Sequence, residues 1–131
     1  MLTGPKHSLV VVDDDDDFRA LMTRVARPLG WEVTEFADGG ALLSAIRREL
    51  RPDLILLDMV MPDVDGIETV VALGSSSLRC PVVLITGRLP IYTTAARELG
   101  LANGLEIVDA LQKPASLARL REILAPPAGP A

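Results

Sequence analysis

Four aromatic side chains, one histidine and one cysteine are all that this 131-residue chain offers in those classes. Each scarcity removes a kind of function. A lone thiol, Cys80, forms no internal disulfide, and no cysteine or histidine cluster is present to hold zinc or an iron–sulfur centre. That usage suits a reducing compartment, so the cytoplasm is the expected location. So few aromatics cannot build a base-stacking platform, and the net charge of −5 is the wrong sign for a phosphate backbone. Direct nucleic-acid contact is therefore not expected. No apolar run approaches the roughly 20 residues of a membrane span. Residues 1–8 lack the apolar segment of a signal peptide, and no membrane insertion is expected.

What is present is a globular composition, 49% hydrophobic and 24% charged, in a length that suits one domain. The acidic excess is not spread out. Asp13, Asp14, Asp15, Asp16 and Asp17 are consecutive, and without that run the acidic and basic counts are equal. Charge packed into five residues asks for a local cause.

Two periodicities alternate along the chain. Leu9, Val10, Val11 and Val12 form a short β-branched run, long enough for a buried strand and too short for a helix. Phe18, Leu21, Met22, Val25, Ala26 and Leu29 then mark one face of a helix, ended by Pro28 and Gly30. Residues 31–36 alternate as a second strand. Ala41, Leu42, Ala45, Ile46 and Leu50 stripe a second helix with Asp38 as its N-cap. Leu54, Ile55, Leu56 and Leu57 make a third strand ending at Asp58. Ile67, Val70 and Val71 predict a short helix closing near Gly74. Val82, Val83, Leu84 and Ile85 make a fourth strand ending at Thr86. A helix over about 90–99, a strand within 105–111 and a last helix striped by Leu117, Leu120, Ile123 and Leu124 complete the pattern. Residues 1–7 read as an arm and 125–131 as a Pro/Ala-rich tail or linker stub.

Strand and helix alternate five times, and the strands are apolar on both faces. That predicts an α/β fold, a doubly wound parallel sheet covered by helices on both sides. Ligands of such sheets sit at the carboxyl ends of the strands. Those ends carry Asp13 and Asp14, then Asp58, then Thr86, then Lys113. Three carboxylates on one rim repel unless a cation joins them. Mg²⁺ suits a few carboxylates plus a phosphoryl oxygen. An ammonium and a hydroxyl around a central carboxylate suit phosphoryl transfer, with Asp58 as the nucleophile.

These residues lead to a family. The sequence resembles the receiver domain of two-component response regulators. The match lies in Val11-Val12-Asp13-Asp14, in Asp58-Met59-Val60-Met61-Pro62-Asp63-Val64-Asp65-Gly66 (the family's D-x-x-M-P-x-x-D-G), in Thr86-Gly87 and in Lys113-Pro114. It covers residues 8–124. The resemblance implies a flavodoxin-like sheet of order 2-1-3-4-5 and a phosphoacceptor, Asp58, that takes its phosphoryl group from a histidine kinase or phosphotransfer protein. It implies Mg²⁺ bound by Asp13, Asp14, Asp58 and the backbone carbonyl of Val60. Thr86 would move to bond the phosphoryl group, Lys113 would pair with it, and Lys113–Pro114 would be cis. The implied output is a partner protein or an attached domain, and a homodimer is compatible with it.

Two features depart from the family pattern. Ala110 stands three residues before the lysine, where the family usually has Tyr or Phe. The spacing from Thr86 to Lys113 is about one helical turn longer than usual, the excess falling in residues 100–108. That stretch is similar to receivers attached to cyclic-di-nucleotide phosphodiesterase domains.

Other functions weigh less. A phosphatase of the haloacid dehalogenase type also uses Asp, Thr, Lys and Mg²⁺, but Asp13-x-Asp15-x-Asp17 lacks its Thr or Val. A receiver fold kept only for protein contact conflicts with the complete set of five residues, although Ala110 favours it. A calcium loop fails because Phe18 stands where glycine is required. The remaining candidates have ordinary readings. Asp15 caps a helix, Asp16 and Asp17 face its dipole, and Asp63 and Asp65 belong to a turn. Cys80 is packing and His7 lies in the arm. Phe18, Trp31 and Phe36 are core or half-buried.

Overall fold

The computed structural model describes residues 7–59, 66–76, 78–87 and 90–125. Five strands, β1 (His7–Val12), β2 (Trp31–Phe36), β3 (Leu54–Asp58), β4 (Pro81–Thr86) and β5 (Glu106–Gln112), alternate with five helices. These are α1 (Asp16–Ala26), α2 (Gly39–Arg47), α3 (Gly66–Ser75), α4 (Pro90–Ala102) and α5 (Leu117–Leu124). All pairings are parallel, in the order β2-β1-β3-β4-β5. The expected doubly wound sheet is therefore the observed one.

Alternate strand residues feed two cores. Val10, Val12, Ile55, Leu57 and Leu84 join Leu42, Ile46, Val70 and Leu73 from α2 and α3. Leu9, Val11, Leu56, Val83 and Ile85 join Met22, Ala26, Leu120 and Leu124 from α1 and α5. Side chains that leave a strand on opposite faces make two cores unavoidable. Helix starts follow local chemistry. Asp15 caps α1 by accepting from the Asp17 and Phe18 amides, and Asp38 caps α2 through the Ala41 amide. Gly30, at φ +96°, turns the chain from a 3₁₀ turn at Arg27–Leu29 into β2.

Some boundaries and faces differ from the sequence reading. β1 begins at His7, which pairs with Trp31 and holds its ring 5.4 Å from the indole. His7 is thus strand, not arm. α4 continues to Ala102. Val71 and Leu117 are exposed, while Leu73 is fully buried. Helical periodicity allows adjacent stripes, and the neighbouring helix selects one. The ladder pairs Val82 with Ile107 but Val83 with Asp109, so β5 bulges at Val108. Beyond the bulge Gln112 pairs with Thr86, which brings Lys113 level with the rim. Cys80 is buried, and burial, with Asp53 and Glu106 adding to it, pushes its thiol up to about 12. That agrees with a packing role.

α2 and α3 meet at Gly39. A Cβ there would overlap Thr69 Oγ1 and lie 3.1 Å from Thr69 Cβ. Thr69 is fully buried and has nowhere to swing. Gly39→Ala is expected to destabilise the fold by about 1–3 kcal/mol through overpacking. Urea unfolding followed by Trp31 fluorescence checks this. Adding Thr69→Ala should recover part of the loss as a coupling energy. Simple additivity of the two changes would refute the steric account.

Candidate functional site

The five polar residues at the strand ends converge. Asp13 follows β1, Asp58 ends β3, Thr86 ends β4 and Lys113 follows β5. Backbone bonds hold each beyond its strand. The Asp13 amide donates to Phe36 O at 3.1 Å, the Met59 amide to Ile85 O at 2.9 Å and the Lys113 amide to Thr86 O at 2.9 Å. The rim is therefore a continuation of the ladder rather than a set of free loops, which pre-organises the side chains it carries.

Asp13, Asp14 and Asp58 each present a carboxylate oxygen, all within 4.8 Å of one another. Asp13 and Asp58 are buried and Asp14 is exposed. Lys113 Nζ lies 2.7 Å from Asp13 Oδ2 and 3.7 Å from Asp58 Oδ2. Asp13 Oδ1 accepts the Asp15 amide at 2.8 Å. Asp13 Oδ2 is fully buried, and its partner is the Lys113 ammonium. Three carboxylates against one ammonium leave the cluster two negative charges in excess. An all-oxygen set with that excess and two buried members fits a hard divalent cation.

Partial burial pulls the Lys113 pKa down. The hydrogen-bonding interaction with Asp13 and the charges of Asp58, Asp13 and Asp15 together outweigh it, so the ammonium is held above the ordinary lysine value. It stays charged throughout the neutral range. Its Nζ also lies 4.5 Å from the centroid of the Phe18 ring, a cation–π distance. Beside it opens a cleft of about 420 Å³ lined by Asp15, Phe18, Leu21, Pro114 and Ala115 among others. The Lys113–Pro114 peptide bond is cis. Thr86 is buried at the rim. Ala110 is half-buried against the core that contains Leu84.

The structure thus brings together the side chains of Asp13, Asp14, Asp58 and Lys113, with Thr86 joined to Lys113 through its backbone carbonyl. Val60, Asp63 and Asp65 lie outside the described residues, as does the Tyr92 side chain. Two neighbours were not singled out by sequence reasoning. Phe18 is half-buried against the core, as read, but also lies beneath the lysine. Arg19 reaches back to Asp13 O at 2.5 Å. The (i, i+3) spacing of Asp16 and Arg19 was a visible signal for an ion pair, but nothing local pointed to Asp13.

A model of the response regulator receiver domain family matches residues 9–125. Among curated relatives, the DNA-binding response regulator MtrA of Mycolicibacterium smegmatis is 36% identical over 83% of this chain and 45% of its own length. The transcriptional regulatory protein PrrA of Mycobacterium bovis is 38% identical over 91% of this chain and 48% of its own. The chain spans about half the length of the curated relatives it matches. A response regulator from Colwellia psychrerythraea superposes with a TM-score of 0.78 at 28% identity, covering 92% of this chain and 94% of that one. The chemotaxis protein CheY4 of Vibrio cholerae gives 0.77 at 26% identity, covering 92% and 97%.

Proposed function

Because this chain belongs to the response regulator receiver domain family of two-component systems, we propose that it is a phosphoacceptor whose acceptor group is the Asp58 carboxylate. An Asp58 oxygen attacks the phosphorus of a phosphohistidine on a histidine kinase or phosphotransfer protein. The new bond is P–O, the P–N bond breaks, and the imidazole leaves with its electron pair. Asp13, Asp14, Asp58 and the Val60 carbonyl would hold Mg²⁺, which when bound offsets the charge gathered on the phosphoryl oxygens. Lys113 adds a fixed positive charge beside the acceptor and Thr86 a hydroxyl at the rim. With Ala110 in the usual aromatic position, the output surface responds without an aromatic rotamer. The chain has no separate substrate; it catalyses its own phosphorylation and dephosphorylation. It works in the cytoplasm and passes its signal to a partner protein or an attached domain rather than to nucleic acid directly.

The observation that carries this reading is the clustered carboxylate trio with Lys113 between its two buried members. Incubation with acetyl phosphate and Mg²⁺, followed by intact mass, tests it. One added phosphoryl group, absent without Mg²⁺, is expected. Steady turnover of phosphate monoesters would favour a phosphatase instead.

The pairing of Lys113 with Asp13 makes a further prediction. The ammonium and a divalent cation draw on the same carboxylates, so removing the ammonium should tighten cation binding. Lys113→Met is expected to bind Mg²⁺ about three- to tenfold more tightly, from the loss of one nearby positive charge at a partly screened site. Its phosphoryl uptake should fall. Titration calorimetry and intact mass measure the two, and a change of both in the same direction would contradict the arrangement.

A further inference from the structure

Arg19 is a charged residue that neither the sequence motifs nor the phosphoacceptor reading employs. It sits in α1 with its side chain only 14% exposed. Its guanidinium serves three acceptors on three segments. One nitrogen donates to the Asp13 carbonyl oxygen at 2.5 Å, another pairs with the Asp16 carboxylate, and Nε donates to Glu35 Oε1 on β2 at 3.3 Å. Glu35 is itself anchored, since its other oxygen accepts Thr23 Oγ1 at 3.0 Å. Glu35 also stands beside Val11 in the ladder, two residues before Asp13.

We propose that Arg19 is a positioning residue for Asp13, clamping the Asp13–Asp14 peptide so that the Asp13 carboxylate enters the site in one fixed direction. The reason is geometric. A residue's Cα–Cβ bond has a fixed direction once the peptide planes on both sides of it are held, since only φ and ψ remain to turn between them. The Asp13 amide is tied to Phe36 O and the Asp13 carbonyl to Arg19, so the residue is gripped at both ends. Its Oδ1 then meets the Asp15 amide and its Oδ2 the Lys113 ammonium. A planar fork spreads its donors over three nitrogens and so reaches acceptors on three segments; a lysine offers the charge from a single nitrogen. Asp16 and Glu35 neutralise the guanidinium locally. Arg19 therefore shapes the site without adding a free positive charge that would repel a cation.

This inference rests on the metal-binding reading proposed above, and two measurements separate their failures. The first is Mg²⁺ titration calorimetry on the full chain and on Arg19→Lys, Arg19→Gln, Glu35→Gln and Asp13→Asn. Loss of an orienting partner behind a metal ligand is expected to weaken affinity about tenfold in both Arg19 variants. Glu35→Gln should weaken it less. The second is the ¹⁵N–¹H signal of the Asp15 amide in the metal-free protein, which should move in both Arg19 variants as its bond to Asp13 Oδ1 loosens. Thermal unfolding of each variant reports folding separately. Wild-type affinity and an unmoved Asp15 amide in Arg19→Lys would overturn the clamp. Tighter binding in Arg19→Gln with none of these changes in Arg19→Lys would show that only charge matters, and would overturn it too. Equal binding by wild type and Asp13→Asn would sink the metal reading alone, leaving the Asp15 signal to decide on the clamp.

Discussion

Asp58→Asn is expected to take up no phosphoryl group from acetyl phosphate and Mg²⁺ under conditions where the wild-type chain takes up one. The substitution is nearly isosteric, so it isolates chemistry from packing. An amide is not a competent nucleophile toward phosphorus, and it removes a ligand charge from the trio. It does not remove the structural ion pair, because Lys113 lies closer to Asp13 than to Asp58. The fold should therefore survive, and loss of one of two buried like charges relieves repulsion. Intact mass reports uptake and thermal unfolding reports the fold. An adduct that persists in Asp58→Asn would place the acceptor elsewhere. Mapped to Asp13, it would favour the phosphatase chemistry weighed against the receiver on sequence grounds.

The second large effect is on stability. Leu57→Ala is expected to cost about 2–5 kcal/mol, the usual range for deleting a fully buried leucine. Leu57 is wholly inaccessible, lies on central strand β3, and is flanked by Val12 on β1 and Leu84 on β4. Neighbours on both sides are held by ladders and cannot collapse into the gap. Against a total stability of about 5–15 kcal/mol this is a large share. Urea denaturation should show the midpoint falling by about 1–3 M, given the usual slope for a domain of this size. Leu101→Ala is the control: that side chain is 63% exposed, and its loss should change stability by less than about 0.5 kcal/mol. Similar losses in both would mean that burial does not govern the response. Leu57 also immediately precedes Asp58, so partial unfolding at working temperature would lower phosphoryl uptake in Leu57→Ala for a reason unrelated to the chemistry.

The acidic run is where local reading and spatial arrangement divide most clearly. Asp15 as N-cap and Asp16 and Asp17 as first-turn residues follow from spacing alone, because capping involves only neighbours within one turn. The assignment of Asp13 and Asp14 to a site was also legible, since a carboxylate at the end of a buried strand has a known address in a doubly wound sheet. Their companion Asp58 was legible for the same reason. Arg19 was not. Its partners Asp13 and Glu35 lie on different segments, and the β1–β2 register places Glu35 beside the end of β1.

The sequence by itself determined the alternation of strands and helices, the parallel class of the sheet, two helix caps and the convergence of Asp13, Asp14, Asp58 and Lys113 at one rim. Each depends on periodicity, on capping within a turn, or on motifs that follow their strands directly. Tertiary structure alone decided which stripe of a helix is buried, as at Leu73 rather than Val71. It also decided where β5 bulges, that Phe18 lies under Lys113, and that Lys113 pairs first with Asp13. Those outcomes depend on distances between elements far apart in the chain. Such distances are set when two faces of one sheet are packed at once, and no local pattern encodes them.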